Sequence, residues 1–218
     1  HLEIASAMQI AFEKIVFNLV KTLKKIGGKS DNIVIAGGAA MNCVFNGLLN
    51  KSKIYKKNFI PAYPDDLGAS IGAAYLAHNL YGKQKRKIFH EKHNYFGPKF
   101  SDIFIKNELI KSKISFIKPK NLSKYVAQKI SDGKLIGWFQ GSMEFAHRAL
   151  GNRSILADPR NPKMKDILNN VIKFREGFRP FAPSVLEEEA AKIFELSNSD
   201  KIYFMEKVAK VRKNWQKK

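Results

Sequence analysis

Two consecutive segments in the first third of the chain share the order strand, loop, helix, and this order constrains the fold more than any other feature. In the first, the apolar run 32–36 leads directly into Gly37-Gly38, and residues 39–50 favour a helix. The second has a strand at 53–60, a loop at 61–68 and a helix at 69–80. Strands that alternate with helices in this way predict an α/β fold.

The loops between these strands and helices are candidate ligand sites. Gly37-Gly38 would let a ligand approach bare backbone N–H groups at a positive helix end. A plain tight turn would use the same residues, so both interpretations stay open at this point. Asp65 and Asp66 precede the second helix, where either carboxylate could cap the helix. Either could instead bind a metal or orient a ligand.

A helix and a linker border this α/β segment. Residues 2–26 predict a helix that ends at Gly27-Gly28, and its apolar stripe consists of Met8, Phe12, Ile15, Leu19, Leu23 and Ile26. Residues 83–93 are polar and basic without an apolar period, which is typical of a linker. His90 and His93 flank Glu91 there, but surface histidines are favoured over a metal site. The linker divides the chain into domains at 1–82 and 94–218.

The second domain has a less regular pattern, which predicts an α+β arrangement. We expect a short helix and strand within 104–117, a helix at 121–132, a buried strand ending at Phe139, a helix at 162–172, a helix at 186–196 and a strand at 203–211. Residues 173–183 contain two prolines and are therefore not helical.

Arginine is concentrated in one part of this second domain. The chain has seven arginines, and five of them lie between residues 148 and 179: Arg148, Arg153, Arg160, Arg175 and Arg179. Elsewhere lysine supplies nearly every positive charge. Because guanidinium groups bind phosphate and carboxylate bidentately, whereas lysine does not, the cluster predicts an anion site.

Composition limits the class of protein. The net charge of +20 comes mostly from scattered lysines, which favour a solvated surface over a nucleic-acid track. Cys43 is the single cysteine, so intrachain disulfides are excluded and a reducing, cytoplasmic location is expected. No apolar run is long enough for a membrane span.

Several motifs resemble one family. The block from Gln140 to Arg160 and the segment from Lys173 to Pro183 closely resemble the O-carbamoyltransferases of the nodulation-protein and antibiotic-tailoring type. The segments 4–9, 37–42, 66–68 and 95–98 agree with that family in order. The resemblance covers nearly the whole chain, and the arginine-rich block is its most specific part.

This resemblance implies a two-part transferase. Residues 1–82 would end an actin/Hsp70-like nucleotide-binding domain, and residues 94–218 would begin a YrdC-like domain that makes carbamoyl adenylate. The substrates would be ATP, carbamoyl phosphate and the hydroxyl group of a small molecule or sugar. A divalent metal, iron or magnesium, is also implied. Neither a membrane nor a nucleic acid is an expected partner.

The family's motifs also imply roles for individual residues. Arg148, Lys173 and Arg179 would be the catalytic contacts to phosphate or carbamoyl groups, supported by Arg153 and Arg175. Asn152 and Ser154 would supply neutral donors. In the first domain, Gly37, Gly38 and Asn42 would approach nucleotide phosphates, and Asp66 would be a metal ligand.

The chain departs from the family's pattern in three respects. The family usually has Arg at the position of Ser142 and Gly-Pro at the position of Ala146-His147. The upstream metal-binding histidine pair and the downstream arginine-bearing segments have no counterpart, so we expect a fragment of a longer enzyme. The alternatives are an enzyme related to tRNA threonylcarbamoylation and a non-catalytic basic fragment that binds nucleic acid.

Overall fold

The computed structural model describes residues 1–82, 92–197 and 200–216, which form two compact units. One unit consists of residues 1–92 together with 187–218, and the other of residues 93–186. The chain passes from the first unit to the second between residues 92 and 93 and returns to the first between residues 186 and 187, while the predicted domains and linker stay predictions. Residues 187–218, which the sequence analysis places in the second domain, group with the first unit.

The first unit begins with the expected order of helices and strands. Its elements are α1 (Leu2–Ile26), β1 (Asn32–Val34), a 3₁₀ turn (Gly38–Met41), α2 (Cys43–Ser52), β2 (Lys57–Phe59) and α3 (Leu67–Tyr81). The two strands are parallel, with Ile33 opposite Asn58. Helix α1 ends where the sequence predicts, because the N–H of Gly27 still bonds to Leu23 while Gly28 has a left-handed φ of 76°.

The core of the first unit lies between α1, α2 and β1. Its buried members are Val20, Ile33, Phe45, Leu49 and Tyr55. Phe12 and Phe17 of α1 meet the ring of Phe45 edge-on, with ring centroids 5.8 Å and 5.1 Å away. Aromatic pairs favour this geometry because the ring edge is positive and the face negative.

The face that α1 packs is not the predicted stripe. Phe12 is the stripe residue that packs against this core, together with Val16 and Phe17, which lie outside the stripe. Met8 and Leu19 from the stripe are 68% and 63% exposed. The apolar stripe therefore does not coincide with the packed face, because Phe45 of α2 contacts Phe17, which lies outside the stripe, as well as Phe12.

The last part of the chain packs against α2. It forms a 3₁₀ turn (Glu187–Glu189) and the single-turn helix α7 (Ala190–Ile193), and Phe194 makes an isolated bridge to Val211. The predictions of a helix at 186–196 and a strand at 203–211 were therefore wrong in extent. The N–H of Val208 donates to the carbonyl of Cys43 at 3.2 Å, so this segment finds partners on α2 rather than on a strand.

The second unit holds three helices and a small sheet. Its elements are α4 (Asp102–Lys111), α5 (Leu122–Ser131), β3 (Ile136–Phe139), β4 (Arg153–Leu156) and α6 (Met164–Ile167), which continues as a π-helix (Leu168–Lys173). Strands β3 and β4 are antiparallel, with Phe139 opposite Arg153. Strand β4 was not predicted, and the strand expected near residue 117 does not form. Mixed helices and small sheets agree with the general α/β class, while the actin/Hsp70-like and YrdC-like assignments stay predictions.

Candidate functional site

The first group of predicted site residues lies on the loop that joins β3 to β4. This loop, residues 140–152, is closed at its base by a hydrogen bond from the N–H of Gln140 to the carbonyl of Asn152 at 3.0 Å. Arg148 lies within the loop and is half-buried, and Arg153 is the first residue of β4. The hairpin therefore carries one arginine within its closed loop and the other at the start of the strand that follows.

A buried carboxylate shapes this loop from inside. Oε1 of Glu144 accepts the backbone N–H groups of Leu150 at 2.6 Å and Asn152 at 2.8 Å. Its Oε2 lies 3.9 Å from Nε of Arg153. Burial raises the pKa of Glu144, but the two backbone donors and the nearby guanidinium outweigh burial and hold the pKa below its ordinary value. Glu144 is thus a charged centre that orders the chain between the two arginines.

A neighbouring extended segment supports the same loop. The N–H of Gly97 donates to the carbonyl of Met143, and the N–H of Met143 donates to the carbonyl of Pro98, both at 2.9 Å. The hydroxyl of Tyr95 donates to the carbonyl of Leu150 at 3.2 Å. A Cβ on Gly97 would stand 2.9 Å from the Cβ of Met143, so only glycine fits there. The motif at 95–98 therefore has a structural part to play in positioning the loop.

The predicted neutral donors are held by the loop itself. Asn152 is 8% exposed, and its Nδ2 donates to the carbonyl of Ser142 at 2.7 Å. The hydroxyl of Ser154 accepts the N–H of Gly151 at 3.0 Å. These contacts give both residues a role in the shape of the loop. Their contact with a ligand stays a prediction.

The second group of predicted site residues follows the π-helix. Lys173 ends that helix, and Phe174 then turns the chain with a left-handed φ of 46°. Arg175 and Arg179 lie on the loop that follows, which we call the 173–179 loop. Lys173 and Arg179 are exposed and Arg175 is partly exposed, so their charges lie at the surface of the unit.

The two arginines of this loop have different surroundings. The guanidinium of Arg175 lies over the ring of Phe181, 4.7 Å from its centroid, and its Nη2 donates to the carbonyl of Pro180 at 3.4 Å. Nε of Arg179 pairs with Glu176 at 2.9 Å, with both side chains about half exposed. An exposed pair of this kind contributes at most about 1 kcal/mol, so a phosphate can replace the carboxylate at little cost.

Arg160 belongs to the cluster in sequence but acts locally. Its Nε and Nη2 donate to the carboxylate of Asp158, and Nη2 also reaches the hydroxyl of Ser131 at 3.1 Å. The hydrogen bonds from Arg160 lower the pKa of Asp158 to about 2. This arginine therefore ties the chain after β4 to the end of α5.

Two buried polar residues that hold the arginine-bearing loops were not identified from the sequence. Glu144 is 3% exposed and Asn169 is 0% exposed, and each holds one of the two arginine-bearing loops. Glu144 is the acidic residue within the basic block around Arg148, and Asn169 falls between the apolar positions Leu168 and Val171 of the predicted helix. Because a buried polar side chain needs partners, an asparagine among apolar helix positions was the available signal.

The predicted nucleotide residues lie at the end of β1 in the first unit. Gly37 has a φ of 97°, which suits glycine, and its N–H donates to the carbonyl of Pro64 at 2.5 Å. Gly38 begins the 3₁₀ turn, and a Cβ there would meet nothing within 4 Å. Asn42 caps α2 by accepting the N–H of Phe45 at 3.0 Å and donates to Gln9 of α1 at 2.8 Å. Asn42 therefore fixes the start of α2 against α1.

The predicted metal ligand, Asp66, belongs to no cluster of metal-ligating side chains within the described part of the chain. Asp66 is exposed at the start of α3, and its side chain makes no capping bond. Within 1–82, 92–197 and 200–216, no three His, Cys, Asp or Glu side chains are grouped as a metal site requires. These residues alone do not fit a bound metal. His90 and Glu91 lie outside the described residues, and the ring of His93 stacks on Tyr95 at 5.1 Å.

A helix that crosses a membrane has to be both long and apolar. None of the helices in the described parts of the chain is long and apolar enough to cross a membrane.

Comparison with known proteins gives matches at both ends of the chain. The family described as Carbamoyltransferase N-terminus matches residues 1–75, and the family described as Carbamoyltransferase C-terminus matches residues 127–218. The second match contains the loop at 140–152 and the 173–179 loop. Both groups of predicted arginines therefore lie within it.

Curated relatives can be aligned with this sequence over most of its length. Nodulation protein NolNO of Sinorhizobium fredii is 41% identical over 98% of this chain, which corresponds to 32% of that protein. Nodulation protein NolO of Bradyrhizobium diazoefficiens is 36% identical over 97% of the chain and 39% of its own length. Nodulation protein U of Rhizobium fredii is 34% identical over 86% and 30% respectively. The chain spans about a third of the length of these relatives, and it belongs to the carbamoyltransferase family.

Proposed function

We propose that the protein forms carbamoyl adenylate from carbamoyl phosphate and ATP and transfers the carbamoyl group to a hydroxyl of a small molecule or sugar. The observation that carries this proposal is the placement of the arginines. Five of seven lie between residues 148 and 179, within the match to the C-terminal carbamoyltransferase family. Arg148 lies on the loop at 140–152, and Arg153 directly follows that loop at the start of β4. Arg175 and Arg179 share the 173–179 loop, and a buried polar side chain orders each loop.

The proposed reaction has three balanced steps. Water attacks the phosphorus of carbamoyl phosphate, which releases phosphate and leaves carbamate. A carbamate oxygen then attacks the α-phosphorus of ATP and displaces pyrophosphate, which yields carbamoyl adenylate. Finally the acceptor hydroxyl attacks the carbamoyl carbon, its proton leaves to solvent or a base, and AMP departs.

Each of the first two steps moves negative charge between phosphate oxygens. Fixed guanidinium and ammonium groups stabilise such charge without giving or taking a proton. Arg148, Lys173 and Arg179 are assigned to the phosphate and carbamoyl groups of the substrates. Arg153 and Arg175 support them, and Asn152 and Ser154 offer neutral donors from the base of the first loop.

The first unit would serve the nucleotide-binding and acceptor side of the reaction. Gly37 and Gly38 leave space above the backbone at the end of β1, where a Cβ would meet no other atom within 4 Å. Such a place allows a phosphate to approach backbone N–H groups. Asn42 and Asp66 border the same turn and the following loop, and Asp66 would be one ligand of a divalent metal completed by residues beyond the described chain.

Isotope exchange between ATP and pyrophosphate tests the proposal in the full-length protein. We expect exchange that depends on carbamoyl phosphate and falls by about 100-fold or more in Arg179→Ala, since a positively charged clamp on a transferring phosphoryl group is lost. Arg212→Ala is the control, because Arg212 lies in the first unit and bonds to the carbonyl of Ala191. Absence of exchange in folded protein would refute adenylate formation.

A further inference from the structure

Asn169 is completely buried, and its side chain contacts both arginines of the 173–179 loop. Its Oδ1 accepts a hydrogen bond from Nε of Arg175 at 2.8 Å. Its Nδ2 donates to the carbonyl of Arg179 at 3.0 Å, with a longer contact to the carbonyl of Gly177 at 3.5 Å. One amide group thus joins the two ends of the arginine-bearing segment.

The backbone of Asn169 holds the same loop. Its carbonyl accepts the N–H of Phe174 and the N–H of Arg175, the latter at 3.1 Å. These bonds fix the turn at Phe174, whose left-handed φ of 46° is unfavourable for a phenylalanine. Asn169 therefore determines where the chain leaves the π-helix.

Apolar packing contributes little to holding this loop. Phe174 is 83% exposed and Phe178 is 71% exposed, so neither ring anchors the loop in the core. A segment without buried apolar contacts depends on hydrogen bonds for a defined conformation. Asn169 itself is 0% exposed, so its end of these hydrogen bonds is shielded from water.

We infer that Asn169 is a positioning residue: it holds Arg175 and Arg179 in the arrangement that binds a phosphate-bearing substrate, without touching that substrate itself. This inference rests on the proposed function, since it takes carbamoyl phosphate as the bound anion. Fixed geometry matters here because charges that must reorganise on binding stabilise a developing charge poorly.

The substitution Asn169→Asp separates the acceptor role of the side chain, toward Arg175, from its donor role, toward the carbonyl of Arg179. The carboxylate keeps an acceptor for Arg175 but loses the donor to Arg179, and it places an oxygen against two carbonyl oxygens. Arg175→Lys removes the Nε–H bond to Asn169 while keeping the charge. We expect faster deuterium exchange of the amides between residues 173 and 180 in both variants, and a KM for carbamoyl phosphate raised by about 10- to 100-fold.

Asn46→Asp is a matched control. Asn46 is 1% exposed and donates to the carbonyls of Ala40 and Glu206, both at 2.8 Å, so the substitution breaks the same kind of contact in the first unit. We expect it to lower Tm comparably while leaving the exchange at 173–180 and the KM for carbamoyl phosphate unchanged. In this control variant, a lower kcat with an unchanged KM would mean only that a smaller fraction of the protein is folded.

The experiment is carried out on the full-length protein, with deuterium exchange as a readout that needs no turnover. Unchanged exchange at 173–180 in Asn169→Asp would overturn the inference, and so would a loosened loop with an unchanged KM in both variants. If the wild-type protein shows no reaction with carbamoyl phosphate, the proposed function fails. The exchange result then still decides whether Asn169 holds the loop.

Discussion

Oε1 of Glu144 accepts the backbone N–H of Asn152, eight positions further along the chain, at 2.8 Å. The same oxygen accepts the N–H of Leu150 at 2.6 Å, so one atom of a buried side chain forms hydrogen bonds with two backbone groups that follow Arg148. A carboxylate that accepts several backbone N–H groups in this way keeps the loop at 140–152 in one conformation. The loop thereby holds Arg148 in a defined place, shortly before Arg153 at the start of β4.

Glu144→Ala should destabilise the second unit strongly. The substitution leaves the buried N–H of Asn152 and the partly buried N–H of Leu150 without an acceptor, and a buried group of this kind costs about 1–3 kcal/mol. Glu144→Gln should cost only about 1 kcal/mol, because its amide oxygen can take the place of Oε1 and accept both N–H groups. Urea unfolding of both variants measures the difference. Equal losses would show that the carboxylate charge, rather than the acceptor position, is what stabilises the loop.

The lowered pKa of Glu144 predicts that the free energy of unfolding depends on pH in the acidic range. Folding lowers the pKa of Glu144 below its ordinary value of 4.5, so the folded state binds this proton less tightly than the unfolded chain. The resulting stabilisation is complete above the ordinary pKa and is lost as pH falls through the lower folded value. We expect the free energy of unfolding of wild type to fall more steeply below pH 4.5 than that of Glu144→Gln. Parallel curves from pH 7 to pH 3 would contradict this prediction.

Two glycines in helices should respond oppositely to alanine. Glycine within a helix is less favourable than alanine by about 1 kcal/mol, so both substitutions would stabilise if propensity alone mattered. A Cβ on Gly47 of α2, however, would stand 2.6 Å from the backbone oxygen of Val208, whereas one on Gly72 of α3 would meet nothing within 4 Å.

We therefore expect Gly47→Ala to lower Tm and Gly72→Ala to raise it slightly, as thermal unfolding would measure. The comparison tests whether residues 200–216 pack against α2. If Gly47→Ala also raised Tm, that packing would be wrong.

Local patterns in the sequence predicted the longer helices of the chain well, but they predicted the strands of the second unit and the contacts between elements poorly. The bounds of α1 follow from an apolar period and a glycine pair, both of which act over a few residues. Which face of α1 is buried depends on Phe45, a residue on another helix, and the period alone does not contain that information. Strand β4 was missed because its residues were assigned to the arginine-rich block rather than to a partner for β3.

At the candidate site, too, local sequence features were recognised and contacts between distant residues were not. The arginines were predicted as site residues because guanidinium groups stand out against a background of lysine, and that role stays a prediction. Glu144 and Asn169 were missed because their importance lies in burial and in hydrogen bonds to backbone groups six to ten residues away. Burial of a polar side chain becomes visible only after the chain has folded around it.

The nucleotide product is the most direct test of the central claim, that the arginine loops support adenylate formation. Phosphorus NMR of the full-length protein with ATP, carbamoyl phosphate and a hydroxyl acceptor distinguishes the possible products. The account predicts AMP, pyrophosphate and phosphate in equal amounts, with all three greatly reduced in Arg179→Ala. ADP as the nucleotide product, or AMP formed equally well without carbamoyl phosphate, would contradict it.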